Sequence, residues 1–300
     1  MHIQIKSLLS FIKVFLILKS SLLFPTLTCN NKMKINTEMS LSHKDFTSQP
    51  ALIETANYVV EQAIPRQDKV FYTQGIFFDE DNNLVESGGL YGESVLIKMK
   101  FPELKEIKRQ KLNNRFFGEG TAKCGSHIYQ LTWLEKNVLK YKADTLERAD
   151  QNDLFIDSKI QQGWGLTESE DGNLYESDGT DNIYKLSCDN LKIISTIKVI
   201  LDGRPIDRIN ALAFANGYIY ANVYYMNVIL KINPQNGKVV HVYNLKPIVD
   251  WELNNGRLTA TNLQSGDVLN GIAYNKSDPN NPFFLLTGKK WSHYFIVKFK

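Results

Sequence analysis

One pattern recurs five times in this chain and limits its folds more than any other feature. A short segment built around a small residue appears at Gln74-Gly75-Ile76-Phe77, Glu119-Gly120-Thr121-Ala122, Trp164-Gly165-Leu166-Thr167, Asn210-Ala211-Leu212-Ala213 and Asn270-Gly271-Ile272-Ala273. The aligned small residues stand at 75, 120, 165, 211 and 271, which gives spacings of 45, 45, 46 and 60. Each unit continues through a turn into a second apolar run, such as Asn173-Leu174-Tyr175-Glu176-Ser177 or Tyr218-Ile219-Tyr220-Ala221-Asn222. A third run then alternates lysine with apolar residues, as in Val95-Leu96-Ile97-Lys98-Met99 and Ile229-Leu230-Lys231-Ile232. Short runs rich in Val, Ile, Tyr and Phe, punctuated by Asp171-Gly172, Asn216-Gly217 and Asn236-Gly237, read as strands joined by tight turns. Good long helical patterns are absent.

A self-similar unit of this length is the size of a four-stranded propeller blade. The expected fold is all-β, a five-bladed β-propeller spanning residues 57–300. The innermost strand of each blade lines the central channel, which accounts for its small residues. The fifth unit reaches the C-terminus at Phe295-Ile296-Val297-Lys298-Phe299 without an outermost strand. The run Tyr58-Val59-Val60-Glu61-Gln62 precedes the first unit and is expected to supply that strand, closing the ring. A β-sandwich or an open barrel is the alternative, but neither gives a reason for the fivefold register.

The net charge of +3, from 35 basic and 32 acidic residues interleaved along the chain, provides no concentrated basic face for nucleic acid. Residues 1–29 open with a short basic stretch and continue through an apolar run broken by Lys13 and Lys19. They read as a secretory signal peptide, with an uncleaved signal anchor as the alternative. A lipid-modified Cys29 is disfavoured, because Thr26-Leu27-Thr28 has no Ala or Gly before the cysteine. Residues 30–56 read as a polar linker. The expected location is secreted or within a secretory compartment, with membrane attachment only if the signal stays uncleaved. Cleavage leaves Cys124 and Cys188, which form a disulfide or remain two buried thiols according to a geometry that spacing does not fix. The five histidines are scattered and no Cys or His spacing resembles a zinc site, so no metal or cofactor is expected.

Chemistry-bearing residues fall at matching places in the repeat. Tyr72 and Gln74, Phe117 and Glu119, Trp164, Asn210 and Asn270 open successive units, and Trp133, Tyr224 and Lys289 stand at corresponding positions of the second strands. On a propeller these converge on one mouth of the channel. A single acid between Gly118 and Gly120, preceded by Phe116-Phe117, is an acid in an apolar pocket, where desolvation raises a carboxyl pKa towards neutrality.

At these residues the chain resembles the plant and bacterial type of glutaminyl-peptide cyclotransferase (glutaminyl cyclase), a five-bladed propeller. The resemblance is carried by Tyr72-Thr73-Gln74-Gly75, Glu86-Ser87-Gly88-Gly89-Leu90-Tyr91-Gly92, Phe117-Gly118-Glu119-Gly120, Gln130-Leu131-Thr132-Trp133 and Gly163-Trp164-Gly165-Leu166-Thr167. It continues through Ser177-Asp178-Gly179-Thr180, Val268-Leu269-Asn270-Gly271-Ile272-Ala273 and Thr287-Gly288-Lys289-Lys290-Trp291, in family order. The resemblance implies conversion of an N-terminal glutamine to pyroglutamate with release of ammonia. It implies Glu119 as the catalytic acid/base and Tyr72, Gln74, Phe117, Trp133, Trp164, Asn210, Tyr224 and Lys289 as substrate-binding residues. It implies peptides or proteins with N-terminal Gln as partners, and a monomer is expected. Asn270 is assigned a structural role. Adjacent Lys290 leaves two lysines for one place, and the Thr-Gly-Lys order favours Lys289.

Two departures stand out. Ala211 and Ala213 occupy places where the family usually carries acids facing the channel, and Tyr224 replaces a tryptophan. The second keeps an aromatic wall, so altered affinity is expected rather than lost activity. Two other readings stand beside cyclisation. One is a metal-dependent, lactonase-like propeller, which needs several carboxylates and amides around one ion and is opposed by the two alanines. The other is a silent propeller that binds peptides or partners.

Overall fold

The computed structural model describes residues 51–66, 71–150, 152 and 154–300. The predicted signal segment and nearly all of the predicted linker lie outside them. Five larger antiparallel sheets follow one another along the chain as blades, and a two-stranded one, Ile200–Leu201 with Arg204–Pro205, lies between the third and fourth. Blade 1 comprises Thr73–Phe78, Asn83–Gly88, Val95–Lys100 and Lys105–Lys111, from the innermost strand outwards. Blade 2 comprises Gly118–Cys124, His127–Thr132, Asn137–Lys142 and the short Leu154–Phe155, and blade 3 Leu166–Glu168, Leu174–Ser177, Asn182–Leu186 and Ile193–Lys198. Blade 4 comprises Ile209–Ala215, Tyr218–Val223, Val228–Ile232 and Val239–Asn244. Blade 5 takes Leu269–Asn275, Phe283–Gly288 and His293–Phe299 from the C-terminus, then Tyr58–Pro65 and Ile53–Glu54 from the other end of the domain.

Ring closure follows the expected route. Tyr58 pairs with Phe299 and Ala63 with Phe295, so the last strand of the chain is covered by its first long one. Ile53–Glu54 adds a fifth strand from residues assigned to the linker. The closing seam is fastened by a buried polar cluster. Arg66 Nη1 donates to both oxygens of Glu86 (3.0 and 3.1 Å), and Nη2 donates to Thr73 and Thr287 at 2.9 Å each. Thr73 Oγ1 and the Tyr294 hydroxyl also donate to Glu86.

Glycines recur on the inner strands because neighbouring blades touch there. A Cβ on Gly75 would lie 2.8 Å from Thr121 N, one on Gly120 2.4 Å from Trp164 O, and one on Gly165 2.0 Å from Asn210 O. These distances are too short for any side chain. The tight turn at Asn216-Gly217 has φ of 51° and 79°, the left-handed pair that a two-residue hairpin requires.

Apolar clusters fill the seams between blades. Between blades 4 and 5, Ala211, Ala213 and Ala215 pack with Tyr220, Leu269, Ile272 and Phe284. Two of the family's usual acid positions therefore lie in an apolar seam here. Each fully buried Leu, Ile or Phe contributes about 1.5–3 kcal/mol of transfer free energy. Cys124 and Cys188 are joined, with Cα atoms 5.9 Å apart, so they are not free thiols. The bridge ties blade 2 to blade 3 across 64 residues, a closure worth about 4 kcal/mol if it acts through chain entropy.

The spacing of 60 before the last unit has a structural cause. Two helices, Lys246–Asn255 and Ala260–Gln264, occupy the excess between blades 4 and 5. Pro247 sits in the first turn of the longer one, where its missing N–H costs nothing. Glu252 is buried on that helix and accepts from Ser292 N (2.6 Å) and Ser292 Oγ (2.7 Å), with His293 Nδ1 at 2.8 Å.

Candidate active site

The pairing of innermost and second strands slips at the same place in four blades. The shift falls between Thr73 and Gly75, Gly118 and Thr121, Ile209 and Leu212, and Leu269 and Ile272. The irregularity therefore contains Gln74, Glu119, Asn210 and Asn270. A bulge frees a residue from the ladder and re-aims its side chain, a device common beside active sites. In blade 3 the strand begins at Leu166, two residues after Trp164.

Contacts at this level run around the whole ring. Gly75 abuts Gly120, Gly120 N donates to Trp164 O at 2.6 Å, and Gly165 abuts Asn210. Gly271 N donates to Asn222 Oδ1 (3.2 Å), and Asn270 Nδ2 donates to Thr73 O (3.1 Å) and Gln74 Oε1 (3.2 Å). Gln74, Glu119, Trp164, Asn210 and Asn270 thus occupy one layer of the ring.

A second tier stands above them. In four blades the residue that follows the second strand bonds back to the segment preceding the inner strand. Gly89 N donates to Tyr72 O (2.8 Å), Trp133 N to Phe117 O (3.0 Å), Tyr224 N to Arg208 O (2.9 Å) and Lys289 N to Val268 O (2.9 Å). This repeated bond places Trp133, Tyr224 and Lys289 at equivalent points of one rim. Lys289 is 4% exposed, with Nζ 4.8 Å from the ring centres of both Tyr72 and Tyr224. Lys290 instead reaches Asp267 Oδ1 at 3.7 Å and remains about half exposed, so Lys289 is the lysine held inside.

The wall is continuous and aromatic. Phe117 meets Tyr72 (6.1 Å between ring centres), Tyr91 (5.4 Å) and Trp133 (5.6 Å), while Trp164 meets Tyr224 at 5.7 Å. Gln162 Oε1 accepts from Trp133 Nε1 (2.6 Å) and Trp164 Nε1 (2.9 Å), fixing the two indoles relative to one another.

Glu119 is 5% exposed. Burial pushes its carboxyl well above the usual range; the positive charge of Lys289 opposes this and Glu135 adds to it. Burial pushes the Lys289 ammonium down to about 8, against the pull of Glu119 and Asp267. The two charges interact without closing to the 4.0 Å of an ion pair. The Tyr72 hydroxyl is pushed up to about 12, chiefly by burial. A carboxyl that burial makes hold its proton above the usual carboxylate range, faced by a cationic donor between aromatic walls, suits proton transfer on a polar substrate.

Asn210 Oδ1, Asn222 Nδ2 and Asn270 Oδ1 are buried without a hydrogen-bond partner among the described residues. Such atoms cost about 1–3 kcal/mol each, which a bound polar ligand relieves. Glu135, Gln162 and Asn222 carry no mark in the repeat pattern. The signal available for two of them is proximity, Glu135 two residues after Trp133 and Gln162 two before Trp164. A cleft of about 540 Å³ opens at the opposite end of the inner strands, lined by Phe78, Glu80, Lys123, Glu168 and Tyr274 among others. It includes neither Glu119 nor Lys289. Among the described residues no cluster of His, Cys, Asp or Glu is arranged to hold a metal ion.

The sequence and fold match known proteins. The glutamine cyclotransferase family model matches residues 32–299. A glutaminyl-peptide cyclotransferase of Arabidopsis thaliana is 31% identical over 234 residues, covering 76% of this chain and 67% of the relative. The crystal structure of Myxococcus xanthus glutaminyl cyclase aligns with a TM-score of 0.69 at 28% identity, over 81% of this chain and 96% of that one.

Proposed function

This chain belongs to the glutamine cyclotransferase family, and from that premise we propose that Glu119 is the proton carrier of glutaminyl cyclisation in its aromatic mouth. The reaction closes a five-membered lactam. The α-amine nitrogen of an N-terminal glutamine bonds to its own side-chain amide carbon, and the bond from that carbon to the amide nitrogen breaks. The amine gives up one proton and departing ammonia takes one, so the exchange is proton-neutral and a single shuttle suffices.

The amine has an ordinary pKa of about 7.7–8.0, so its deprotonation is mild. The harder tasks are curling the chain and turning an amide nitrogen into a leaving group. Tyr72, Phe117, Trp133, Trp164 and Tyr224 shape the pocket for the first, and a well-held reactive geometry is worth up to about 7–11 kcal/mol. Glu119 accomplishes the second by accepting the amine proton and delivering one to the amide nitrogen, which leaves as ammonia, a step worth about 10²–10⁴ in rate. Lys289 donates to the oxygen that gains negative charge. Gln74 has its Oε1 occupied by Asn270, which leaves the Nε2 hydrogens to donate to the same oxygen. Asn210 offers its unpartnered Oδ1 to a substrate N–H.

The observation that carries this reading is the burial of Glu119 at a bulge of the inner strand, opposite Lys289. The Cys124–Cys188 bridge supports an oxidising, secretory compartment. Pairing of the first and last long strands within one chain supports a monomer as the working unit.

The test is turnover of a Gln-initiated peptide by purified protein in the presence of a chelator. The expected result is one ammonia and one pyroglutamyl peptide per substrate consumed. Absence of turnover, or turnover lost to chelator and restored by added metal, overturns it.

A further inference from the structure

Glu135 lies on the aromatic side of the mouth, two residues beyond Trp133. Its carboxylate is held by two donors of the pocket wall, the Tyr91 hydroxyl to Oε1 at 2.7 Å and Phe117 N–H to Oε2 at 3.4 Å. Phe117 is the ring that contacts Tyr72, Tyr91 and Trp133.

Both donors are neutral. Among the described residues no cation pairs with Glu135 within 4.0 Å. The adjacent cation is engaged elsewhere, since Lys136 Nζ donates to Ile160 O at 3.0 Å. Glu135 is thus a half-buried, pre-oriented anion at the entrance, without a counter-charge. It also sits close enough to Glu119 for its charge to be felt there.

The substrate class of the proposed reaction has one obligatory cation, the α-ammonium of its free N-terminus. We propose that Glu135, fixed by Tyr91, receives that α-ammonium at the rim and positions it beside Glu119. This rests on the cyclase reading. A carboxylate on the Trp133 side receives the charged end, and Lys289 on the Tyr224 side meets the amide oxygen. The glutamine is thereby oriented across the mouth. The ammonium loses its extra proton to water, the neutral amine leaves Glu135 to attack the amide carbon, and Glu119 takes the second proton as the C–N bond forms and passes it to the departing nitrogen. The lactam product carries no ammonium, so its hold on this subsite is lost on reaction and release is favoured. Glu135 is on this account a positioning residue and not the proton carrier.

The experiment compares wild type, Glu135→Gln and Glu135→Asp with two ligands, a Gln-initiated peptide and its pyroglutamyl counterpart. For Glu135→Gln the expected result is a KM raised by about tenfold, the scale of one charge-assisted contact at a partly exposed site. The expected kcat stays within about twofold, and inhibition by the pyroglutamyl peptide is unchanged. Aspartate restores part of the loss.

A second readout is the acid limb of the kcat profile. The charged groups acting on Glu119 are Lys289 and Glu135; Asp267 acts on Lys289, and Tyr72, Tyr91 and Tyr224 stand within reach of the Glu119 charge. Removing the Glu135 charge removes a repulsion, so the limb moves to lower pH. Equal weakening of both peptides indicates a general collapse of the wall and overturns the proposal, as does an unchanged KM. If wild type binds the two peptides but turns over neither, the cyclase reading falls by itself. Calorimetry with the same pair then still decides whether Glu135 discriminates the free amine.

Discussion

Glu86 and Glu119 are buried carboxylates in neighbouring blades, and their surroundings are opposite. Glu86 accepts from Arg66, Thr73 and the Tyr294 hydroxyl, a set that joins blade 1, blade 5 and the closing strand. Its charge is fully engaged, so its work is to hold the ring shut. Glu119 sits among aromatics with Lys289 held apart from it, and its carboxyl is pushed well above the usual range. A carboxylate that is matched on all sides serves structure; one left short of partners and next to an open mouth serves chemistry. Burial alone does not distinguish them, since both are 5% exposed or less.

Substitutions at the two places sharpen this contrast. Glu119→Gln is expected to lower kcat by about a thousandfold, with thermal unfolding at or above the wild-type midpoint. Arg66→Met is expected to do the reverse. Leaving Glu86 without its cation costs about 3–5 kcal/mol of stability by denaturant melt, while the folded fraction keeps its kcat. A stable Arg66→Met protein, or a Glu119→Gln protein that unfolds early, breaks the comparison.

Lys289→Met removes a donor to the developing oxyanion and is expected to cost about a hundredfold in kcat. It also removes the charge that holds the Glu119 carboxyl down. The acid limb of the rate profile therefore moves to higher pH, opposite to the shift for Glu135→Gln.

Glu176 tests the same principle in a structural seam. Its place on the second strand of blade 3 matches that of Glu86 in blade 1, since Leu166 pairs with Glu176 as Ile76 pairs with Glu86. Its two oxygens are buried without partners among the described residues. Burial, then Asp178 and Asp157, hold its carboxyl well above the usual range. The folded state therefore keeps this proton to a higher pH than the unfolded chain does. Stability from this group is complete below about pH 4.3, the unfolded value, and is lost as pH rises through the folded one. Glu176→Gln is expected to leave stability unchanged at low pH and to raise it at alkaline pH, by about 1–3 kcal/mol at most. The smallest change is Tyr224→Trp, for which KM moves within about tenfold and kcat is retained, because one desolvated aromatic face replaces another.

Where the chain constrains itself locally, its sequence is readable. Gly75, Gly120 and Gly165 announce the ring because any side chain there would strike the next blade. Glu119, Asn210 and Lys289 are readable for the same reason, since they occupy fixed places relative to those glycines. Cross-blade partners leave no such trace. Gln162 matters because two indoles from different blades point at one oxygen, and Glu135 because Tyr91 reaches it from blade 1. The Cys124–Cys188 bridge depends on a Cα separation that a gap of 64 residues does not encode. The helix at Lys246–Asn255 buries only Ile248, Val249 and Glu252, too few apolar positions to stand out against the surrounding strands.

The most direct test of the proton-carrier role joins a titration to a rate. The Glu119 carboxyl carbon is followed by ¹³C NMR in labelled protein, assigned by its loss in Glu119→Gln, and the acid limb of kcat/KM is measured under the same conditions. The account predicts that the signal titrates well above the range of an exposed glutamate, and that the rate limb coincides with it. A Glu119 signal that titrates like a solvated side chain, or a rate limb that does not follow it, contradicts the account.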